Sequence, residues 1–207
     1  MIAYCAVCTN KRNLKALSGY PWRFLLSTST PYSINKYRDF GRKYAIDNGA
    51  YSDFVNGRPF QTERFLKLLR TFGHNAEFIV IPDSVGNKTE TLIFAEHWIR
   101  KLNGRLLLVL QDDMEPKDIE PFKKYIYGFF MGGSTDWKMA NIPIFSNYAI
   151  KNDLYFHVGR VNSIKRLKYC IDHKVKSIDG SGPSRFYKVA RDMTGFLKDH
   201  NNQLKLL

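Results

Sequence analysis

Eight short runs of strand-forming residues recur along this chain, most of them followed by a helix-like run, and that alternation leaves few folds open. The runs are 2–7, 24–28, 44–47, 78–81, 106–111, 126–131, 155–158 and 177–179. Phe78-Ile79-Val80-Ile81 and Leu106-Leu107-Leu108-Val109-Leu110 are apolar at every position, the pattern of strands covered on both faces. Helices are predicted over 59–72, with Pro59 near its start and Phe65, Leu66 and Leu69 on one face, and over 89–102, 163–173 and 185–200. The segment 134–154, with Pro143 and several asparagines, reads as a loop with a short helix. Eight strands with a helical connection after most of them predict an α/β fold: a compact (β/α)8 barrel forming one domain over 1–207, with an open doubly wound sheet as the alternative. A chain of 207 residues is at the lower limit for such a barrel, so its helices and loops must be short.

Composition narrows the partner. Lys and Arg number 32 against 19 Asp and Glu, a formal net charge of +13. Such an excess favours a polyanion, nucleic acid before an anionic membrane surface. Lys165-Arg166-Leu167-Lys168 and the patch from Lys36 to Lys43 are candidate phosphate contacts, or simply solvated faces. Three cysteines make no disulfide framework, which points to the reducing cytoplasm. Cys5-x-x-Cys8 has no second Cys or His pair at ligand spacing, so it reads as a buried strand end and no metal is expected. No signal peptide is apparent, and no run approaches the ~20 apolar residues of a membrane span.

In either fold, chemistry belongs at the carboxyl ends of the strands, and polar residues gather there. Asp47 ends the third run, Asp83 follows the fourth, and Gln111 and Asp112 end the fifth. Gly132-Gly133-Ser134, Gly159-Arg160 and Asp179 end the sixth, seventh and eighth. Taken singly, Asp47-Asn48-Gly49 is a tight turn, Asp83-Ser84 a helix cap and Asp179-Gly180 a turn pair. Their recurrence at six strand ends in register is what turn chemistry does not explain.

The ordered set resembles the tRNA-guanine transglycosylase superfamily. Asp47-Asn48-Gly49-Ala50-Tyr51 is similar to that family's Asp-Ser-Gly-Gly-Phe motif, and Val109-Leu110-Gln111 to its Val-Gln strand end. Met131-Gly132-Gly133 is similar to its Gly-Gly loop, and 179–185, through Pro183-Ser184-Arg185, to the segment that carries its nucleophilic aspartate. The likeness runs from Asp47 to Arg185 and is nearest to the short DpdA-type enzymes of phages and bacteria, which insert 7-deazaguanines into DNA. It departs from the tRNA enzymes in two places: only 22 residues follow Arg185 and none is Cys, so their zinc subdomain has no counterpart, and Ser52 stands where they carry Gln.

The resemblance implies exchange of a guanine in DNA, with RNA not excluded, for a free 7-deazaguanine such as preQ0, without a cofactor. Exchange at C1′ passes through an oxocarbenium-like state. Asp179 is then the nucleophile and Asp47 the acid/base. Asp83, Gln111 and backbone N–H groups around Gly132 and Gly133 would read the base, and Tyr51 or Phe130 would stack on it. Arg160, Arg185 and Ser181, in the loops after the seventh and eighth strands, are candidate phosphate ligands. His157 reads as a core histidine bonded to backbone. Two other readings stay open: a barrel enzyme acting on a small phosphorylated sugar or nucleotide, and a non-catalytic nucleic-acid-binding barrel.

Overall fold

The computed structural model describes residues 1–30 and 43–204, so most of the Lys36 to Lys43 patch lies outside the described residues. In chain order the elements are β1 (Ile2–Ala6), α1 (Lys11–Leu17), β2 (Arg23–Leu26), β3 (Tyr44–Ile46), α2 (Ala50–Val55), α3 (Thr62–Phe72), β4 (Ile79–Val80) and α4 (Lys88–Ile99). There follow β5 (Leu106–Leu110), α5 (Pro116–Ile119), β6 (Gly128–Met131), α6 (Thr135–Lys151), β7 (Tyr155–Val158), α7 (Ile164–Asp172), β8 (Ser177–Gly180), α8 (Gly182–Arg185) and α9 (Tyr187–Leu204). Each strand pairs in parallel with the next, and β8 returns to β1 with Asp179 opposite Tyr4, which closes the barrel. The fold is a (β/α)8 barrel; the open sheet is excluded by that last pairing.

Alternation along the strands sorts the core into two shells. Tyr4, Ala45, Phe78, Val80, Leu107 and Val109 point inward and fill the barrel. Leu106, Leu108 and Leu110 of the same β5 point outward, with Phe129, Phe156 and Ile178, into the layer beneath the helices. This is why β5 is apolar at every position: both its faces are covered. The same alternation turns Ser177 and Asp179 of β8 inward and Ile178 outward, so the candidate nucleophile rests on the packed interior.

The segment 134–154 is not a loop. It contains the 17-residue helix α6, with Pro143 inside it. Ser134 caps its start, its Oγ accepting from Trp137 N, and Ile142, Phe145 and Ala149 form a buried stripe against the barrel. Proline removes one helical N–H, and tertiary packing of that stripe outweighs the loss. Helices α1, α2 and α5 are additions that no sequence pattern announced. The last predicted helix, 185–200, is α9, which begins at Tyr187; a separate single turn, α8, precedes it and ends at Arg185.

Candidate active site

A cavity of about 650 Å³ opens at the carboxyl ends of the strands, within the range of small-ligand sites. All eleven residues given a catalytic, base-reading, stacking or phosphate role line it: Asp47, Tyr51, Asp83, Gln111, Phe130, Gly132, Gly133, Arg160, Asp179, Ser181 and Arg185.

Asp47 follows β3, and backbone N–H groups of Asn48 and Gly49 donate to its carboxylate. Gly49 makes that loop possible. Its φ is +84°, a left-handed conformation suited to glycine, and a Cβ there would stand 2.1 Å from Thr28 Oγ1. Asp47 keeps some surface on the cavity but lies well below its rim. Burial, then the charges of Asp179 and Asp83, push its pKa up to about 7.

Asp83 is 7 % exposed and held by two side-chain amides. Asn48 Nδ2 donates to its Oδ1 at 2.7 Å and Gln111 Nε2 to its Oδ2 at 2.6 Å. Burial raises its pKa to about 6, and those two donors limit the rise. Each oxygen retains a second lone pair for a ligand. Gln111 is fixed in turn, since its Oε1 accepts from Gly86 N at 3.1 Å. Asn48, which the sequence hid inside a turn motif, bolts β3 to β4: it donates to Ile81 O as well as Asp83 and accepts from Ala50 N.

Asp179 is 8 % exposed and each of its oxygens meets one donor group. Arg160 N–H donates to Oδ1 at 3.2 Å, and His157 Nε2 lies 3.0 Å from Oδ2. His157 is therefore buried, as its sequence context predicts, but its partners are side chains rather than backbone: Nδ1 lies 2.7 Å from Ser177 Oγ. Parallel register explains this, because His157 pairs with Ser177 and its ring spans the two inward residues of β8. Phe130 stacks on the imidazole at 4.7 Å.

Two expectations change. The N–H groups of Gly132 and Gly133 both donate to Leu110 O, so they are engaged within the protein instead of facing a base. What Gly133 allows is close packing of this loop: a Cβ there would lie 2.3 Å from Asp112 Oδ1 and 2.7 Å from Trp137 Cε3. Arg160 is not an open phosphate fork, for its Nη2 donates to the carbonyls of Gly132 and Gly133. Its guanidinium also covers one face of Tyr51, 4.5 Å from the ring centroid, leaving Tyr51 one face for stacking. Arg185 points to the cavity with no carboxylate partner among the described residues, and Ser181 begins the turn beside it.

Among the described residues no cluster of His, Cys, Asp or Glu has the grouping of a metal site, and no helix is long and apolar enough to cross a membrane. The three cysteines are buried, and Cys8 Sγ donates to Ser184 O at 3.4 Å.

No family model matches this chain, and no curated protein does. Among solved structures, 3-hexulose-6-phosphate synthase from Salmonella typhimurium is similar over 95% of this chain and 99% of that one, with a TM-score of 0.51 and 10% identity. Tryptophan synthase from M. tuberculosis gives 0.49 and 12% over 96% of this chain and 91% of that one. At such identity the likeness to the first establishes the (β/α)8 fold and nothing finer.

Proposed function

We propose that the protein is a glycosyl-transfer enzyme that exchanges a guanine of a polynucleotide, DNA foremost, for a free 7-deazaguanine. One observation carries this reading: three carboxyl groups share one cavity, each in a different environment. Asp179 is oriented by a donor at each oxygen, Asp47 titrates near neutrality, and Asp83 is held as an acceptor by two amides. Differentiated acids are what a two-step displacement needs.

Asp179 attacks C1′ from the face opposite the base, so that a C1′–O bond forms as the C1′–N9 bond breaks. Protonated Asp47 gives its proton to the departing guanine. The incoming base returns a proton from N9 to Asp47, its N9 attacks C1′, and Asp179 leaves as a carboxylate. Asp83 accepts from the N1–H and exocyclic amine of the base, and the second Nε2–H of Gln111 donates to its O6. A duplex hides C1′, so the nucleotide is flipped into the cavity. The +13 charge suits a polyanionic substrate.

The second reading is a barrel enzyme acting on a small phosphorylated sugar or nucleotide. The solved structure named for a hexulose phosphate and the loops after β7 and β8 stand behind it, and the fold comparison sits nearer to this reading than to base exchange. It accounts less well for three inward carboxylates and for the net charge. Mass spectrometry of nucleosides after incubating protein with preQ0 and DNA, beside the same assay on tRNA, separates the two. Deazaguanine in the polymer, abolished by Asp179→Ala, supports exchange. No incorporation and no covalent adduct in either polymer sinks it.

A further inference from the structure

Lys138 is only 3% exposed, and no step above uses it. Its Nζ donates to Gly159 O at 2.7 Å. That carbonyl belongs to the same peptide unit whose N–H, on Arg160, donates to Asp179 Oδ1 at 3.2 Å. A cation on the oxygen of an amide withdraws charge from its N–H and makes it a stronger donor, as hydrogen bonds in series polarise one another. Burying an ammonium is costly, and a methionine would fill the same space without that cost. Burial and then the Arg160 charge pull the Lys138 pKa down to about 7, while the Asp179 charge opposes the fall.

The other oxygen has its own series. His157 bridges Ser177 Oγ, at 2.7 Å from Nδ1, and Asp179 Oδ2, at 3.0 Å from Nε2. With Asp179 as the carboxylate that the displacement requires, Nε2 is the donor to it and Nδ1 accepts from the serine. The ring has little freedom to leave this position, packed against Phe130, Phe78 and Tyr4.

We propose that Lys138 and His157 are positioning residues that make Asp179 a good leaving group, so that its glycosyl ester is resolved by the incoming base. The inference rests on the base-exchange reading. In the first step the carboxylate loses its charge into the C1′–O bond. In the second that bond breaks, the charge returns to Asp179, and the two polarised donors stabilise it as it develops. The same donors temper the carboxylate as a nucleophile, so they favour release over attack.

The test compares wild type with Lys138→Met, His157→Phe, His157→Gln and Ser177→Ala, the last removing one hydroxyl and serving if the larger changes impair folding. Exchange of labelled guanine into DNA gives kcat and KM, and intact-protein mass spectrometry after acid quench gives the fraction held as covalent adduct. Lys138→Met and His157→Phe are expected to lower kcat at least tenfold, with KM for DNA falling in step so that kcat/KM stays within twofold, and to raise the adduct fraction severalfold. Ser177→Ala shifts both in the same direction by less, and His157→Gln, which keeps an N–H, restores part of the rate. Variants in which rate and adduct fall together overturn the inference and leave base exchange standing. A wild type that exchanges base with no adduct overturns the nucleophile and the inference with it.

Discussion

Gln111 Nε2 donates to Asp83 Oδ2 across 2.6 Å, joining the ends of β5 and β4 on the cavity wall. Asn48 completes the arrangement from β3 at 2.7 Å. Two side-chain amides thus favour the charged form of a carboxyl group that burial pushes the other way. Replacing Asp83 with asparagine sets an NH2 against one of those donors, and replacing Gln111 with leucine strips Oδ2 of its partner. Losing a charged hydrogen bond in a buried site costs about 1–3 kcal/mol. Either variant should therefore weaken binding of free 7-deazaguanine by about 10- to 100-fold, read by calorimetric titration. Unchanged affinity in both would remove Asp83 and Gln111 from base recognition.

Asp47 sets the pH dependence. It binds its proton more tightly folded, near pH 7, than unfolded, near 3.8. Between those values the folded chain holds more protons, so Asp47 makes stability fall as pH rises, with the full cost reached above 7. Asp47→Asn should then stabilise the protein by about 1–2 kcal/mol at pH 8, after allowing for cavity water, and by far less at pH 5. Urea denaturation at the two pH values measures this. The same variant should lose exchange activity by about 10²- to 10⁴-fold. The wild-type profile of kcat/KM should inflect near pH 7, as a property of the coupled acids rather than of one residue.

Much of this site was legible because strand ends are marked by what cannot be buried unpaired. Apolar runs closing on Asp47, Asp83, Gln111 and Asp179 located the cavity, since alternation and parallel order send such residues to one rim. What stayed hidden were residues whose work depends on register. Asn48 looks like half of a turn, and only the β3–β4 pairing brings it to Asp83. His157 reads as core until its pairing with Ser177 sets it under Asp179. Lys138 lies in a segment that Pro143 disguised as loop, and no local pattern announces a lysine that turns inward. The basic patch carried no geometry, because charge says which partner is attracted and not where it docks.

Gly49 offers a test of the loop that carries Asp47. Its φ is +84°, and Thr28 Oγ1 stands 2.1 Å from where an alanine methyl would sit. Alanine there meets both backbone strain and a clash with a buried side chain. Strain of this kind costs about 1–3 kcal/mol. Gly49→Ala should lower stability by at least that much in urea melts and move Asp47 enough to lose most exchange. Gly57, also at positive φ but with nothing within 4 Å of a Cβ, is the control: its alanine variant should cost only the backbone term, about 1 kcal/mol, and keep activity.

The two arginines at the mouth should separate under salt. Arg160 is committed to the Gly132 and Gly133 carbonyls and to Tyr51, whereas Arg185 lines the cavity with a looser hold, its guanidinium 5.8 Å from the centroid of the exposed Phe186 ring. A phosphate contact shows itself as a lost counterion, so removing one lowers the slope of log K against log salt by about 1. Arg185→Ala is expected to do this in fluorescence anisotropy with a single-stranded oligonucleotide. Arg160→Ala should instead leave the slope nearly unchanged and lower turnover, because it frees the β6 loop and uncovers Tyr51. Arg160→Lys should not rescue it, since an ammonium neither stacks on the ring nor reproduces the guanidinium's planar fork. A slope that drops by about 1 for Arg160→Ala and stays fixed for Arg185→Ala would reverse the two assignments and place the phosphate beside the loop after β7.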